Sequence, residues 1–291
     1  MTTPDAQADR SPAATDPATV ESIHYHTVDD GRIAIVTIDR PHRKNSLDLF
    51  GFSQLAAAWR RAAADEQVWC VIVTGVETSF CAGADLRDFM PQVTRLQAEI
   101  QSGGVTEIDG VKLEDTLHAV LRDVAFYKPI IAAVNGPCVA GGMEMLGGVD
   151  IRIAVPEATF GVLEPRSGLF AGGGTTARLP RQIAYAHAME LLLTADPIPA
   201  QRAYEMGLVN EIVPRDQLMD TALEWARRIT KNGPLAVQAT KESVLRGLTA
   251  GSLEEAYKIE SKLSRRVFKT EDAKEGPKAF AQKRQPHWQA R

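Results

Sequence analysis

From Ile23 onward the chain alternates between short apolar runs and stretches with apolar residues at helical spacing. Arg32 to Asp39 (RIAIVTID) has β-branched residues in alternation and predicts a strand. Leu47 to Ala64 carries apolar residues, including Leu55 and Trp59, at the spacing of one helical face. Val68 to Val76 (VWCVIVTGV) is a continuous apolar run, which predicts a strand buried on both faces. Ile130 to Val134 and Ile151 to Val155 repeat that signal, with a helix expected between them from near Gly142. Strands alternating with helices indicate an α/β architecture. After about Pro214 the strand signals stop, and residues 216–230, 234–247, 252–268 and 271–283 all read as helices. This organisation predicts a core over 21–214 and a helical, oligomerising region over 215–291.

The first 20 residues differ. They are rich in Ala, Thr, Pro and Asp and have no apolar segment of the kind a secretory signal needs. They offer too little apolar surface to offset the entropy of ordering, so residues 1–20 are expected to be a disordered tail. Over 291 residues, 44% are hydrophobic and 24% charged, the balance of a globular chain. The net charge of -4 lacks the basic footprint of a nucleic-acid binder. Residues 241–291 nevertheless hold 12 Lys and Arg against 7 Asp and Glu. Three scattered cysteines, Cys70, Cys81 and Cys138, suit neither a disulfide framework nor a zinc site. His24 and His26 stand two apart on a predicted strand and read as a solvated face. No uncharged apolar run reaches 18 residues, so no membrane span is expected.

Three glycine-marked segments carry the candidate chemistry. Phe80 to Asp85 (FCAGAD) follows the 68–76 strand with small residues that let backbone approach a ligand closely. Val134 to Glu144 (VNGPCVAGGME) runs from a strand into a helix start, where free amides favour negative charge. There the amide of Gly141 could stabilise an oxyanion, with Glu144 about one turn further on. Glu144 could equally be a carboxylate answering the helix dipole. In the third segment Glu164 follows an apolar stretch and precedes Pro165 and Arg166, so it could serve as an acid or base or pair with Arg166. Gly172-Gly173-Gly174-Thr175 lacks the lysine of a nucleotide loop and is a weak phosphate signal.

Taken together and in order, these segments resemble the crotonase (enoyl-CoA hydratase/isomerase) superfamily over residues 22–291. Asp39-Arg40-Pro41 with Asn45-Ser46-Leu47, Phe80 to Asp85, Ala132 to Gly136 leading to Glu144, Phe160 to Glu164, Gly173 to Leu179, and Ala203 to Pro214 all match its motifs. The resemblance implies a spiral of ββα units with a C-terminal helical trimerisation region, assembled as a homotrimer or homohexamer. It implies an acyl-CoA thioester substrate, with coenzyme A as part of the substrate and no further cofactor or metal. The amides of Ala84 and Gly141 would form the oxyanion hole. Ala82 to Asp85 would lie against the adenine side of CoA, and Phe280 and Lys283 would reach adenine and phosphates. Glutamates at both 144 and 164 resemble the true hydratases, which add water to a 2-trans-enoyl-CoA. A Δ3,Δ2-enoyl-CoA isomerase, a specialised acyl-CoA dehydratase and a non-catalytic acyl-CoA-binding homologue are the alternatives. The expected setting is cytoplasmic, without nucleic-acid or membrane partners.

The chain also departs from the family pattern. Ala140 replaces a frequent glycine, which is tolerable if its φ is negative. Leu163 stands where hydratases often have proline, and residues 90–115 form a longer segment that would flank the acyl pocket.

Overall fold

The computed structural model of the chain describes residues 21–103, 107, 108 and 110–291. The expected tail, residues 1–20, lies outside them. The chain opens with an antiparallel pair, β1 (Ile23–Val28) and β2 (Ile33–Ile38). Helix α1 (Leu49–Ala64) follows, then β3 (Cys70–Gly75) and α2 (Phe89–Gln101). A small hairpin, β4 (Glu107–Ile108) and β5 (Val111–Lys112), leads into α3 (Asp115–Ala119). Next come β6 (Ile130–Val134), β7 (Cys138–Val139), α4 (Gly141–Leu146), β8 (Ile151–Ala154) and β9 (Thr159–Gly161). Helices α5 (Thr175–Gln182) and α6 (Tyr185–Thr194) precede β10 (Ile198–Pro199), α7 (Ala200–Glu205) and β11 (Glu211–Ile212). Four helices complete it: α8 (Leu218–Thr230), α9 (Pro234–Gly247), α10 (Leu253–Val267) and α11 (Glu271–Ala281).

The main sheet has the order β1-β2-β3-β6-β8-β11, parallel from β2 onward. Parallel strands covered on both faces read as unbroken apolar runs. β3 and β6 are buried along their whole length, as their sequences predict. β2 is more enclosed than its alternation suggests: Ala34 and Val36 are as buried as Ile33 and Ile35, because the strand lies between β1 and β3 with both faces covered. Asp48 starts α1 by accepting the Gly51 amide at 2.7 Å. Its inner face, Phe52, Leu55, Trp59 and Ala62, then packs into the core.

The expected division at 214/215 does not follow the edge of the core. Helix α8 lies against β3, β6 and β8, and its Leu218, Ala222 and Ala226 belong to the same buried cluster as the strands. The helices beyond it, α9 and α10, pair with each other. They leave Leu248, Leu253, Tyr257 and Phe268 exposed. No helix among the described residues is long and apolar enough to cross a membrane.

Candidate functional site

In a sheet of parallel strands, ligands gather beyond the strands' carboxyl ends. Here the chain leaving β3 is tied at that edge to the chains leaving β2 and β6 by two buried asparagines, Asn45 and Asn135. Asn45 donates to the carbonyls of Ser79 (2.7 Å) and Val76 (3.1 Å). Asn135 donates to Ser79 and Glu77 at 3.0 Å and accepts from the Gly75 amide at 3.2 Å. Each side chain thereby satisfies backbone groups that a turn would leave unpaired.

Beyond this turn three segments run side by side. Cys81 bridges Cys138, with the Val139 amide donating to the Cys81 carbonyl at 3.0 Å. β7 pairs in parallel with β9, Cys138 against Phe160 and Val139 against Gly161. The Ala140 amide then donates to the Gly161 carbonyl at 2.9 Å. The FCAGAD segment, the start of α4 and the approach to Glu164 are therefore one hydrogen-bonded unit.

Ala84 forms a parallel bridge with Leu47, in which the Gly83 carbonyl and the Asp85 amide face Leu47. The Ala84 amide therefore points the other way. Gly141 is the first residue of α4, where an amide has no intrahelical acceptor. The two backbones approach so closely that a Cβ on Gly83, at φ +85°, would fall 2.6 Å from the Gly141 nitrogen. Only glycine combines that φ with that clearance. Both Ala84 and Gly141 line a cavity of about 470 Å³, together with Ala82, Ala140, Glu144 and Glu164. The rest of its wall is mostly apolar, with Phe52, Phe89, Leu117, Val120, Leu163 and Phe170 prominent.

The expected condition on Ala140 is corrected. Its φ is +49° with ψ -123°, a conformation that a side chain disfavours. The ladder to Gly161 on one side and the first turn of α4 on the other leave the residue no other path. Its carbonyl accepts the Glu144 amide at 3.1 Å, which opens the helix.

The two glutamates share the cavity but differ in their partners. Glu144 Oε1 accepts the Gly173 amide, and a Cβ on Gly173 would fall 2.2 Å from Glu144 Oε2, so any side chain there would displace this carboxylate. Burial pushes the Glu144 carboxyl above its ordinary range, against the lowering effects of that amide and of the Arg122 and Arg178 charges. Glu164 opens the short 3-10 turn Glu164–Ser167. Its Oε2 is buried with no hydrogen-bond partner among the described residues. Burial, opposed by its own amide and reinforced by the Glu144 charge, pushes its pKa up to about 7. Arg166 does not pair with it, but reaches Asp196 instead. A raised carboxyl beside a second carboxylate, in an apolar cleft, is the arrangement of an acid–base pair.

The other expected site residues lie elsewhere. Asp85 is buried outside the cavity wall, within 3.5 Å of Arg40 and 3.4 Å of Arg43. Arg40 also reaches Asp48 at 3.1 Å, so this ion cluster anchors the Ala84 segment to the start of α1. Phe280 and Lys283 are exposed at the end of α11 and do not line the cavity. Met90, at the start of the longer 90–115 segment, and Thr116, just past its end, do line it. Gly173, read from sequence as a weak phosphate signal and as part of a family motif but not as a partner of Glu144, is the unforeseen contributor. The three cysteines are free and buried, and burial is the largest cause of the upward shift in each thiol. His24 is exposed beside Asp39, and no cluster of three metal-ligating side chains occurs among the described residues.

Comparison with known proteins gives a consistent set of relatives. A family model described as enoyl-CoA hydratase/isomerase matches residues 29–291. Enoyl-CoA hydratase EchA19 of Mycobacterium tuberculosis is 42% identical over 94% of this chain and 100% of its own length. The (E)-benzylidenesuccinyl-CoA hydratase of Thauera aromatica is 36% identical over 87% of this chain and 94% of its own. Among solved structures, an enoyl-CoA hydratase of Mycobacterium tuberculosis H37Rv aligns with TM-score 0.79 at 37% identity, covering 93% of this chain and 99% of that one. One from Bacillus anthracis aligns with TM-score 0.82 at 30% identity, covering 93% and 100%.

Two outcomes follow from the site's geometry. Ala140→Gly is expected to raise stability, because relief of about 1–3 kcal/mol of backbone strain exceeds the roughly 0.5–1 kcal/mol entropic cost of glycine. Calorimetry showing a lower Tm would mean that the methyl group's packing outweighs the strain. For Glu164, the folded protein holds a proton that the unfolded chain releases near its ordinary pKa, 4.5. Its contribution to stability is therefore full below that pH and lost as pH rises to about 7. The Tm of Glu164→Gln should thus gain on the wild type between pH 5 and pH 8, whereas a constant difference would contradict the burial argument.

Proposed function

The chain belongs to the enoyl-CoA hydratase/isomerase family, and we propose that Glu144 and Glu164 act together in it to add water syn across a 2-trans-enoyl-CoA. By likeness to its hydratase relatives the protein is an enoyl-CoA hydratase, a hydro-lyase. The observation that carries the two-carboxylate reading is the asymmetry of the pair. Glu144 is held by an amide and faces two guanidinium groups, whereas Glu164 has an unpartnered buried oxygen and a pKa of about 7. Glu144 is accordingly the base and Glu164 the acid.

In the proposed reaction the thioester oxygen sits between the amides of Ala84 and Gly141. Glu144 takes a proton from water as its oxygen bonds to Cβ, and the electron pair of the double bond moves towards the thioester oxygen. The two amides stabilise the resulting enolate; loss of one such donor costs about 2.7–4 kcal/mol in other enzymes. Glu164 then delivers its proton to Cα, leaving 3-hydroxyacyl-CoA. The pair ends with as many protons as it began, now with the proton on Glu144, and exchange restores the starting state. Coenzyme A enters as part of the substrate, and these steps call on no metal or redox cofactor.

The thioester's nucleotide end would lie near Ala82. Phe280 and Lys283, remote from this cavity, fit a role in binding CoA from a neighbouring copy. A homotrimer or homohexamer is supported by the exposed Leu248, Leu253, Tyr257 and Phe268 on the C-terminal helices, a density of apolar side chains typical of interfaces. Cytoplasmic fatty-acid or wider lipid metabolism is the setting this reading implies.

Loss of enoyl-thioester absorbance across C4 to C16 2-trans-enoyl-CoA substrates is the direct test of the activity. Glu144→Gln and Glu164→Gln should each lower kcat by about 10²–10⁴-fold, with the double variant less than additive. Mild loss in Glu144→Gln with abolished 3-enoyl-CoA isomerisation in Glu164→Gln would favour an isomerase, and near-normal hydration by Glu164→Gln would refute the mechanism. Light scattering should give a mass of three or six chains at micromolar concentration; a stable 31.7 kDa monomer contradicts the assembly. Lys283→Glu should raise KM for the CoA thioester with kcat retained, and an unchanged KM would remove Lys283 from the CoA site.

A further inference from the structure

Helix α3 ends in a turn that its sequence does not favour. The Leu121 amide donates to the His118 carbonyl at 2.9 Å, and the Arg122 amide to the Leu117 carbonyl at 3.0 Å. This pair of bonds is the Schellman ending, which places its C′ residue in the left-handed region and usually selects glycine. Here that residue is Leu121, at φ +58°. The surroundings hold it there. Leu121 is buried, and its Cβ stands only 2.6 Å from where a Cβ on Gly148, just beyond α4, would lie. Arg178 of α5 donates to the carbonyls of both Val120 and Leu121. Strained backbone that its neighbours over-determine is concentrated at functional sites.

The turn directs Arg122 across the cavity rim. Its Nη1 donates to the Gly172 carbonyl at 2.7 Å. Gly172 and Gly173 share one peptide unit, and the amide of that unit is the one donated to Glu144. A hold on the carbonyl end of a planar peptide fixes where its N–H points. Gly174 follows at φ +113°, and a Cβ there would be 3.6 Å from Arg122 Cγ, so the side chain lies along the loop rather than merely touching its tip.

We infer that Arg122 is a positioning residue for this reaction: through the Gly172 carbonyl it holds the Gly173 amide on Glu144, and its charge adds to that amide in favouring the Glu144 carboxylate. The inference rests on the hydratase reading for its kinetic consequences, but not for the link itself. The groups facing Glu144 are Arg122 from the segment after α3, Arg178 from α5, Glu164 from the 3-10 turn and the Gly173 amide. Asp123 lies 3.7 Å from Arg122 and moderates its charge. Glu164 receives neither that amide nor such a cation, and the pair is unequal for both reasons.

Three variants separate tether from charge. Arg122→Ala removes both, Arg122→Gln can still donate to Gly172, and Arg122→Lys keeps the charge. Misplacing a reacting group by about 1 Å can cost about 10²-fold. Arg122→Ala should therefore lose about 10²-fold in kcat with KM within about twofold, and its acid limb of kcat should move to higher pH. Arg122→Gln should recover much of kcat but keep the displaced limb, and Arg122→Lys should restore the limb. An infrared pH titration of the Glu144 carboxylate, assigned by its absence in Glu144→Gln, should show its midpoint rising in the Ala and Gln variants only. A lower Tm with an unmoved limb and an unmoved midpoint would reduce Arg122 to a structural role and overturn the inference. If the wild type hydrates no enoyl thioester, the hydratase reading fails by itself. The infrared titration still decides the inference: an unchanged midpoint in Arg122→Ala overturns it, and a midpoint raised further in Arg122→Ala than in Arg122→Gln upholds both tether and charge.

Discussion

The site depends on one constraint: three chain segments are hydrogen-bonded side by side where the strands end. Backbone pairing of Cys81 with Cys138, and of Val139 with Gly161, sets the spacing between segments that are distant in sequence. Because the ladder is made of main chain, it fixes the Ala84 and Gly141 amides independently of any side-chain rotamer. The same ladder carries Glu144 on the helix it opens and Glu164 on the turn that follows β9. Its tightness also explains the local composition. Gly83 cannot carry a Cβ, and Ala140 keeps its own only at the expense of an unfavourable φ.

An apolar wall gives these few polar groups their effect. Inside such a cavity a hydrogen bond to a carboxylate is stronger than in water, and a missing one costs more. The two glutamates illustrate both sides. The amide and the guanidinium groups around Glu144 favour its charge, while Glu164 has only its own amide against burial and leaves Oε2 without a hydrogen-bond partner among the described residues. Protons are therefore divided between two chemically identical side chains by burial and by the partners each one finds.

Much of this was legible in the sequence because it is carried by local pattern. Ile130 to Val134 reads as a buried strand and is one; the helix expected near Gly142 begins at Gly141; and the four helices after Pro214 lie where their amphipathic spacing puts them. What was not legible is set by partners remote in sequence. The stripe of Leu218, Ala222 and Ala226 looks the same whether it faces the sheet or another chain, so the 214/215 division missed that α8 completes the core. Asp85 stands in a ligand-binding motif, yet Arg40 and Arg43 draw its carboxylate inward. Gly173 resembled a phosphate loop because glycine runs look alike whichever anion they approach, and here the anion is the protein's own Glu144. Nothing local distinguishes Arg122, or the sign of φ at Ala140.

The paired cysteines of the ladder have a further consequence, for chemical compatibility. A CoA thioester brings sulfur chemistry to the site, and its hydrolysis releases a free thiol. Exchange between sulfur centres needs an accessible thiolate. Cys81 and Cys138 sit on the ladder beside Ala84 and Gly141, yet both are enclosed and burial favours their protonated form, with the Cys81 pKa pushed up to about 11. The pocket is thus backed by sulfur atoms that pack as small hydrophobes, enclosed away from thiol exchange.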